Sequence, residues 1–301
     1  MSQALVRGGI ALDYETFGNP SDPAVLLIAG FGAQMLSWDS GFCDGLAQRG
    51  RYVIRFDNRD TGLSTKLDQF PVDLGRLIGA ASSGDIEAVG ASAPYLLEDL
   101  ADDAAGLVGA LGLDRVHVVG ASMGGMVAQL VAIRHPDLVA TLTSMMSSTG
   151  ASDVGQSTPE AFAALMSPLP SDRDGYIAGT VASSRVWASK RYFDETAVAA
   201  LAAASYDRGL CPGGTTRQLA ALLATGSLES DLAGLRLPVL VIHGTDDTLI
   251  APSGGERTAE VIPGAEMLVV THMGHDRPQP LWPTLWDAIA SHTDQNRRQA
   301  P

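Results

Sequence analysis

The chain has 301 residues, 46% of them hydrophobic, with a net charge of −14, enough for one large α/β unit with an insertion or for two smaller units. That acidic balance excludes the clustered Lys and Arg that nucleic acid or anionic lipid would require, leaving small-molecule chemistry behind a surface kept soluble by charge. Two cysteines, Cys43 and Cys211, far apart and outside any CxxC pattern, exclude a disulfide framework or a thiolate metal site and predict free thiols in a reducing compartment.

No basic-then-apolar leader marks residues 1–9, and no apolar run reaches membrane-spanning length. The expectation is a cytoplasmic protein with no membrane partner. Leu5 to Phe17 reads as two short strands joined at Arg7-Gly8-Gly9. Asn19 to Pro23 is a loop by composition. Ala24-Val25-Leu26-Leu27-Ile28-Ala29 is continuously apolar, as a strand buried on both faces must be, and it stops at Gly30-Phe31-Gly32. A short helix is predicted over Phe42 to Arg49 and a strand over Tyr52 to Phe56. The charges of Asp57-Asn58-Arg59-Asp60 predict a structural turn with an internal ion pair. Leu67 to Pro94, dominated by Gly, Ala and Ser, predicts a loop with a helical turn or two beside a pocket. Leu97, Leu100, Ala104, Leu107, Val108 and Leu111 recur at steps of three and four, which predicts a helix over Leu96 to Leu111, closed by Gly112.

Val116 to Val119 is the next strand, and a helix is predicted from Met126 to His135, where Pro136 ends it. Val139 to Met146 is another strand. From Ser147 to Ser227 strand-like runs disappear. Helices are predicted there over Ala161 to Met166, Val198 to Ser205 and Thr216 to Leu223, an all-helical cap hung between two core strands. The core resumes with a strand at Leu237 to Ile242, a helix from Gly255 to Val261, a strand at Met267 to Val270 and a closing helix from Leu281 to His292. The tail from Thr293 is polar and predicted to fray. The expected division is a core of 1–146 and 228–301 with a cap of 147–227. The four tryptophans, Trp38, Trp187, Trp282 and Trp286, are scattered along the sequence.

Strands alternating with helices imply a mostly parallel sheet, whose ligands gather at the carboxyl ends of its strands. After the Val116 strand comes Gly120-Ala121-Ser122-Met123-Gly124, and then a helix. Strand, tight turn and helix around Gly-x-Ser-x-Gly is the setting of a nucleophile elbow, with the serine hydroxyl raised above the sheet. The competing reading makes Ser122 a plain helix N-cap. After the Val239 strand comes His243-Gly244-Thr245-Asp246-Asp247, and after the Met267 strand Thr271-His272-Met273-Gly274-His275. Serine, acid and histidine thus follow in that order, each at a strand's carboxyl end.

These motifs, with Pro238-Val-Leu-Val-Ile-His-Gly-Thr-Asp-Asp247, make the sequence resemble an α/β-hydrolase-fold serine hydrolase over nearly its whole length. The Phe56-Asp-Asn-Arg-Asp-Thr-Gly-Leu-Ser64 stretch and the overall length are similar to those of bacterial carboxylesterases of the aclacinomycin methylesterase type. The resemblance implies the α/β-hydrolase fold and an acyl-serine mechanism without cofactor or metal. It assigns the nucleophile to Ser122 and the general base to His275, which follows Gly274. Asp247, three residues beyond Gly244, is the acid in preference to Asp246. His272, His243, His117 and His135 are then structural or surface residues. The oxyanion hole would use the backbone N–H groups of Met123 and Phe31, with Gly30, Gly32 and Trp187 as candidate substrate-binding residues. Ala29 stands where the family commonly has histidine, which puts the geometry of that loop in question.

The activity so implied is hydrolysis of a small to medium, fairly apolar carboxylic ester. The same triad serves cofactor-free perhydrolases and carbon–carbon bond hydrolases, and a receptor with vestigial turnover could carry it too. Ser122 argues against the epoxide hydrolase and dehalogenase branches, which need aspartate at the elbow. Nothing in the pattern specifies an oligomeric state.

Overall fold

The computed structural model describes residues 2–294. The first half contains β1 (Ser2–Leu5), β2 (Ala11–Phe17), β3 (Ala24–Ile28), α1 (Ser40–Ala47), β4 (Tyr52–Phe56), α2 (Leu74–Ser83), α3 (Ile86–Ser92), α4 (Leu97–Ala110), β5 (Val116–Ala121), α5 (Met123–Arg134) and β6 (Val139–Met145). Four helices of eight or more residues follow without a strand: α6 (Pro159–Met166), α7 (Arg173–Trp187), α8 (Glu195–Arg208) and α9 (Pro212–Thr225). The short α10 (Glu229–Leu232) leads back to β7 (Val239–Gly244), α11 (Ser253–Val261), β8 (Glu266–Val270) and α12 (Trp282–Asp294). Among the described residues no helix is long and apolar enough to cross a membrane.

The eight strands of the described residues join one sheet in the order β1-β2-β4-β3-β5-β6-β7-β8. Strands β3 to β8 run parallel, while β2 is antiparallel to both β1 and β4. This is the expected mostly parallel α/β architecture, and its hydrophobicity pattern explains it. Every residue of β3, β5, β6 and β7 is buried, as strands covered on both faces require. Along β3 the side chains alternate. Leu26 and Ile28 pack with Leu100, Leu107 and Val127 of α4 and α5. Val25 and Leu27 pack with Phe42, Leu285 and Ile289 of α1 and α12. Helix α5 is buried from Met123 to Ala132 and has no polar face, because it runs through the packed layer rather than along the surface.

Several sequence expectations change. Residues 67–94 hold two real helices rather than loop. Asp73 and Asp85 cap α2 and α3 by accepting from the Arg76 and Ala88 N–H groups, and Gly84 closes α2 in the left-handed conformation at φ 72°. Both helices pack on α9, with Leu77 and Val89 against Leu219. Helix α7 was absent from the expected pattern. Gly175, Gly179, Thr180, Ser183 and Ser184 interrupt any apolar stripe, and no residue of it is fully buried. It is held instead by its Asp172 cap and by Tyr176 against Tyr206 of α8, ring centroids 5.6 Å apart.

Thr293 and Asp294 do not fray. They end α12, where Thr293 Oγ1 accepts from Arg51 Nε at 2.7 Å and Asp294 pairs with the same guanidinium; the rest of the polar tail, 295–301, lies outside the described residues. Three of the tryptophans converge in space, Trp38, Trp282 and Trp286 all packing on Phe42 within 6.0 Å between ring centroids. Cys43 and Cys211 are free thiols, as expected.

The charges of the 57–60 turn do not pair internally. Asp57 pairs with Arg208 of α8, Asp60 with Arg217 of α9, and Arg59 with Asp103 of α4. The turn is structural, but its two acids tie down the helical segment between β6 and β7, and its arginine ties down α4.

Candidate active site

The chain order of the strands locates the site. From β3 the chain steps to β4 on one side and then crosses to β5 on the other, so the crevice beyond the carboxyl ends of β3 and β5 is a topological switch point. Ser122 stands directly beyond β5. Its backbone has φ 58° and ψ −128°, a conformation a non-glycine residue adopts only when its surroundings enforce it. The enforcement is visible. A Cβ on Gly120 would overlap the Gly124 carbonyl, and one on Gly124 would overlap the Ile28 carbonyl. Ser122 N–H donates to Met145 O at 3.0 Å, and Ser147 Oγ donates to Ser122 O at 2.8 Å. Among the described residues the other non-glycine residues at positive φ are Asp60, Met146 and His272. They follow β4, β6 and β8, so backbone strain gathers on the one sheet edge where the site lies.

His275 and Asp247 complete a chain of hydrogen bonds with Ser122. His275 Nε2 lies 2.9 Å from Ser122 Oγ, and His275 Nδ1 lies 2.8 Å from Asp247 Oδ2. Burial works to raise the Asp247 pKa, but the imidazoles of His275 and His243 beside it hold the carboxyl well below the usual carboxylate range. An ionised carboxylate only accepts, so Nδ1 of His275 carries a proton and Nε2 presents its lone pair to the Ser122 hydroxyl. The other oxygen, Asp247 Oδ1, accepts from Leu249 and Ile250 N–H at 2.9 Å each. The carboxylate cannot rotate without losing them. Ser122 O–H to His275 and His275 N–H to Asp247 is an arrangement that can deprotonate the serine during attack on a carbonyl.

The helical segment holds the histidine loop from above. His275 N–H donates to Trp187 O at 2.7 Å, Ser189 N–H donates to Asp276 Oδ1 at 3.0 Å, and Thr248 Oγ1 donates to Val186 O at 3.1 Å. Trp187, a candidate for substrate contact, therefore enters the site through its carbonyl, while its ring is half-buried.

The loop after β3 passes against the nucleophile. A Cβ on Gly30 would stand 3.1 Å from Ser122 Cβ. Gly30-Phe31-Gly32-Ala33 forms a turn closed by Ala33 N–H to Gly30 O at 3.2 Å, with Gly32 at φ 63°. Positive φ at the third position of such a turn is the reason for glycine there. Where the family commonly has histidine, Ala29 O accepts from Asn58 Nδ2 at 3.2 Å, and Gly32 N–H donates to Gln218 Oε1 at 2.9 Å. Met123 is the first residue of α5, where N–H groups have no intrahelical partner and the helix dipole favours negative charge.

Gln218, Asn58, Asp276 and Ser147 were not among the sequence candidates. Asp276 adjoins His275 and could have been noticed. Gln218 gave no signal, being one polar residue in a predicted helix. The remaining histidines lie apart from the reacting atoms. His243 is buried, with Nε2–H donating to Ile250 O at 2.9 Å and 3.4 Å from Asp247 Oδ2. His272 is half-exposed near Asp246, His117 bonds Thr141 Oγ1, and His135 bonds Asp102. Asp246 accepts from Thr245 Oγ1 and faces His272, 3.8 Å away, rather than His275. Burial pushes the Cys43 thiol up to about 12, far from the thiolate a cysteine nucleophile needs. Among the described residues no group of three or more His, Cys, Asp or Glu side chains is placed to hold a metal ion.

Comparison with known proteins agrees with this architecture. The alpha/beta hydrolase fold family model matches residues 23–276. Rhodomycin D methylesterase DauP of Streptomyces sp. (strain C5) is 27% identical, the match covering 97% of this chain and 98% of that protein. Rhodomycin D methylesterase DnrP of Streptomyces peucetius is 28% identical with the same coverage of each. Among solved structures, a meta-cleavage product hydrolase from Pseudomonas fluorescens IP01 superposes with a TM-score of 0.75 at 20% identity over 98% of both chains. With most of its length matched and its sheet and elbow in place, the chain belongs to the alpha/beta hydrolase fold family.

Proposed function

We propose that this protein is a serine-dependent carboxylic ester hydrolase. The observation that carries the proposal is the continuous Ser122–His275–Asp247 hydrogen-bond chain, at 2.9 and 2.8 Å, on a strained turn at the switch point of the sheet. His275 Nε2 takes the Ser122 proton as Oγ attacks the ester carbonyl carbon. Asp247 holds the imidazole in the tautomer this requires and stabilises the imidazolium that forms. The oxygen of the tetrahedral intermediate would be met by the N–H groups of Phe31 and Met123, each such donor contributing about 3 kcal/mol to the transition state. Collapse breaks the carbon–oxygen bond, and His275 returns the proton to the leaving alcohol. Water then repeats the sequence on the acyl-serine, releasing the acid and restoring Ser122.

The helices between β6 and β7, residues 147–227, are assigned as the cap that shapes the acyl and alcohol pockets. The methylesterase names of the two curated relatives support an ester bond as the substrate and place methyl esters among those to be tried. A small to medium, fairly apolar ester fits the acidic exterior and the absence of a basic patch in the sequence.

The test is hydrolysis of p-nitrophenyl esters of increasing acyl length, and of methyl esters, by wild type beside Ser122→Ala. Turnover that collapses in the variant supports the reading, and the length optimum sizes the acyl pocket. Equal rates in both proteins sink it. Turnover confined to a vinylogous diketone would reassign the same residues to carbon–carbon bond hydrolysis.

A further inference from the structure

Three consecutive peptide planes make up the loop from Ala29 to Gly32, and each is fixed by a hydrogen bond of its own. The Ala29–Gly30 plane is held by Asn58 Nδ2 on Ala29 O at 3.2 Å. The Gly30–Phe31 plane has its carbonyl turned into the turn, accepting from Ala33 N–H at 3.2 Å. In a trans peptide the N–H points opposite the C=O, so the Phe31 N–H faces away from Ala33. The Phe31–Gly32 plane is held by Gln218, whose Oε1 accepts from Gly32 N–H at 2.9 Å. This central plane is the one whose flip interconverts type I and type II turns. The left-handed φ of 63° at Gly32 marks the type II state. Gln218 is itself fully buried on α9, and its Nε2 is spent on Arg59 O at 3.1 Å. The amide therefore cannot rotate without leaving a buried carbonyl unpaired.

We propose that Gln218 is a positioning residue for catalysis: by anchoring the Gly32 end of the turn to α9, it keeps the whole turn, and with it the Phe31 N–H, seated beside Ser122 where the oxyanion forms. The inference rests on the ester-hydrolase reading above. It gives the helical segment a part in transition-state stabilisation as well as in substrate contact. Arg208 strengthens the same arrangement from α8, through Gln34 Oε1 at 2.9 Å and through Asp57, whose other oxygen accepts from Met35 N–H at 2.7 Å.

The test uses Gln218→Met, similar in length but without the acceptor, and Gln218→Glu, which keeps an acceptor toward Gly32. For each, kcat, KM, the melting temperature and the Kd of a trifluoromethyl ketone analogue of the tetrahedral intermediate are measured. The expected result for Gln218→Met is a kcat lower by about ten- to a hundredfold, KM within about threefold, and analogue affinity weakened in step with kcat/KM. Gln218→Glu is expected to retain several times more of kcat. A kcat within about threefold of wild type, whatever the melting temperature does, overturns the proposal and leaves Gln218 a packing residue. So does a lower kcat with unchanged analogue affinity. If Gln218→Met does not fold, Gln218→Asn, one methylene short of the Gly32 N–H, carries the same outcomes. Failure of the underlying reading shows separately, as wild-type turnover that Ser122→Ala leaves intact.

Discussion

Arg217 of α9 and Asp60 of the turn after β4 form a two-pronged ion pair, Nε to Oδ2 at 2.8 Å and Nη2 to Oδ1 at 2.7 Å, with both side chains out of solvent. Asp60 also accepts from Tyr95 OH and from Leu67 N–H, each at 2.8 Å. Burial raises its pKa, but these partners outweigh burial and leave the carboxyl below its ordinary value. Arg217→Met would strand this carboxylate. Removing one partner of a buried pair costs about 3–5 kcal/mol, and urea denaturation should read a loss of that order. Adding Asp60→Asn to Arg217→Met should recover part of it, because the stranded charge is then gone. A double variant no more stable than Arg217→Met alone would show that the pair is not the source.

The two adjacent carboxylates after β7 should differ sharply in kinetic weight. Asp247→Asn removes the acceptor that fixes the His275 tautomer, and kcat should fall by about four orders of magnitude, as loss of the triad acid does elsewhere. Asp246, which bonds Thr245 and stands 3.8 Å from the His272 ring, should tolerate Asn with kcat within about threefold. Steady-state kinetics on one chromogenic ester decides between them. Comparable losses in both variants would contradict the assignment.

A pH dependence of stability follows from His117. Burial first, and then the neighbouring positive charges of Arg51, His292 and Arg115, depress its pKa to about 4. The unfolded chain binds this proton near pH 6.5. Stability from this site is therefore complete above about pH 6.5 and is lost progressively as pH falls toward 4, by up to about 3 kcal/mol. Denaturation midpoints for wild type and His117→Gln at pH 7 and pH 5 test the point. The variant should lose less than wild type between the two, and parallel losses would show that other groups drive the acid sensitivity.

Gly120→Ala is expected to prevent folding or to cost several kcal/mol, although alanine adds one methyl group. That methyl would overlap the Gly124 carbonyl and stand 2.8 Å from Ala128 Cβ, and backbone cannot yield there without moving α5 away from β5. Gly109, on α4 with no neighbouring atom within 4 Å of an added Cβ, is the control. Gly109→Ala should be neutral or slightly stabilising, since a helical alanine is favoured over glycine by about 0.8–1.0 kcal/mol. Thermal melts of the two variants separate close packing from backbone entropy.

What the sequence disclosed was whatever depends on near neighbours. The apolar run of β3, the glycines flanking Ser122, and Asp247 and His275 just past their strands are local patterns with local causes. Helices α2 and α3 were hidden because they are short and their caps, Asp73 and Asp85, sit in a Gly/Ala/Ser-rich background. Helix α7 was hidden because its glycines pack on Leu169 and Pro170 of the preceding loop and Ser183 on α6, so no apolar stripe records a core. The charges of 57–60 misled for a different reason. Their partners lie 151, 44 and 157 residues away in the chain, at Arg208, Asp103 and Arg217, whereas a sequence window offers only each other. Gln218 meets Gly32 across 186 residues, a distance over which no periodicity carries information.

The attachment of the helical segment bears on how such enzymes could be recombined. One stretch of chain lends the Trp187 carbonyl to the histidine loop and the Gln218 amide to the turn beside Ser122, while Arg208 pairs with Asp13 of β2 and Asp57, and Arg217 with Asp60, the last two acids lying in the turn after β4. On the proposed roles of the cap and of Gln218, a chimaera that exchanged this stretch for a relative's would alter substrate preference and turnover together. To separate the two, the graft must carry matching residues at positions 13, 57 and 60, so that specificity here is inherited with part of the scaffold that receives it.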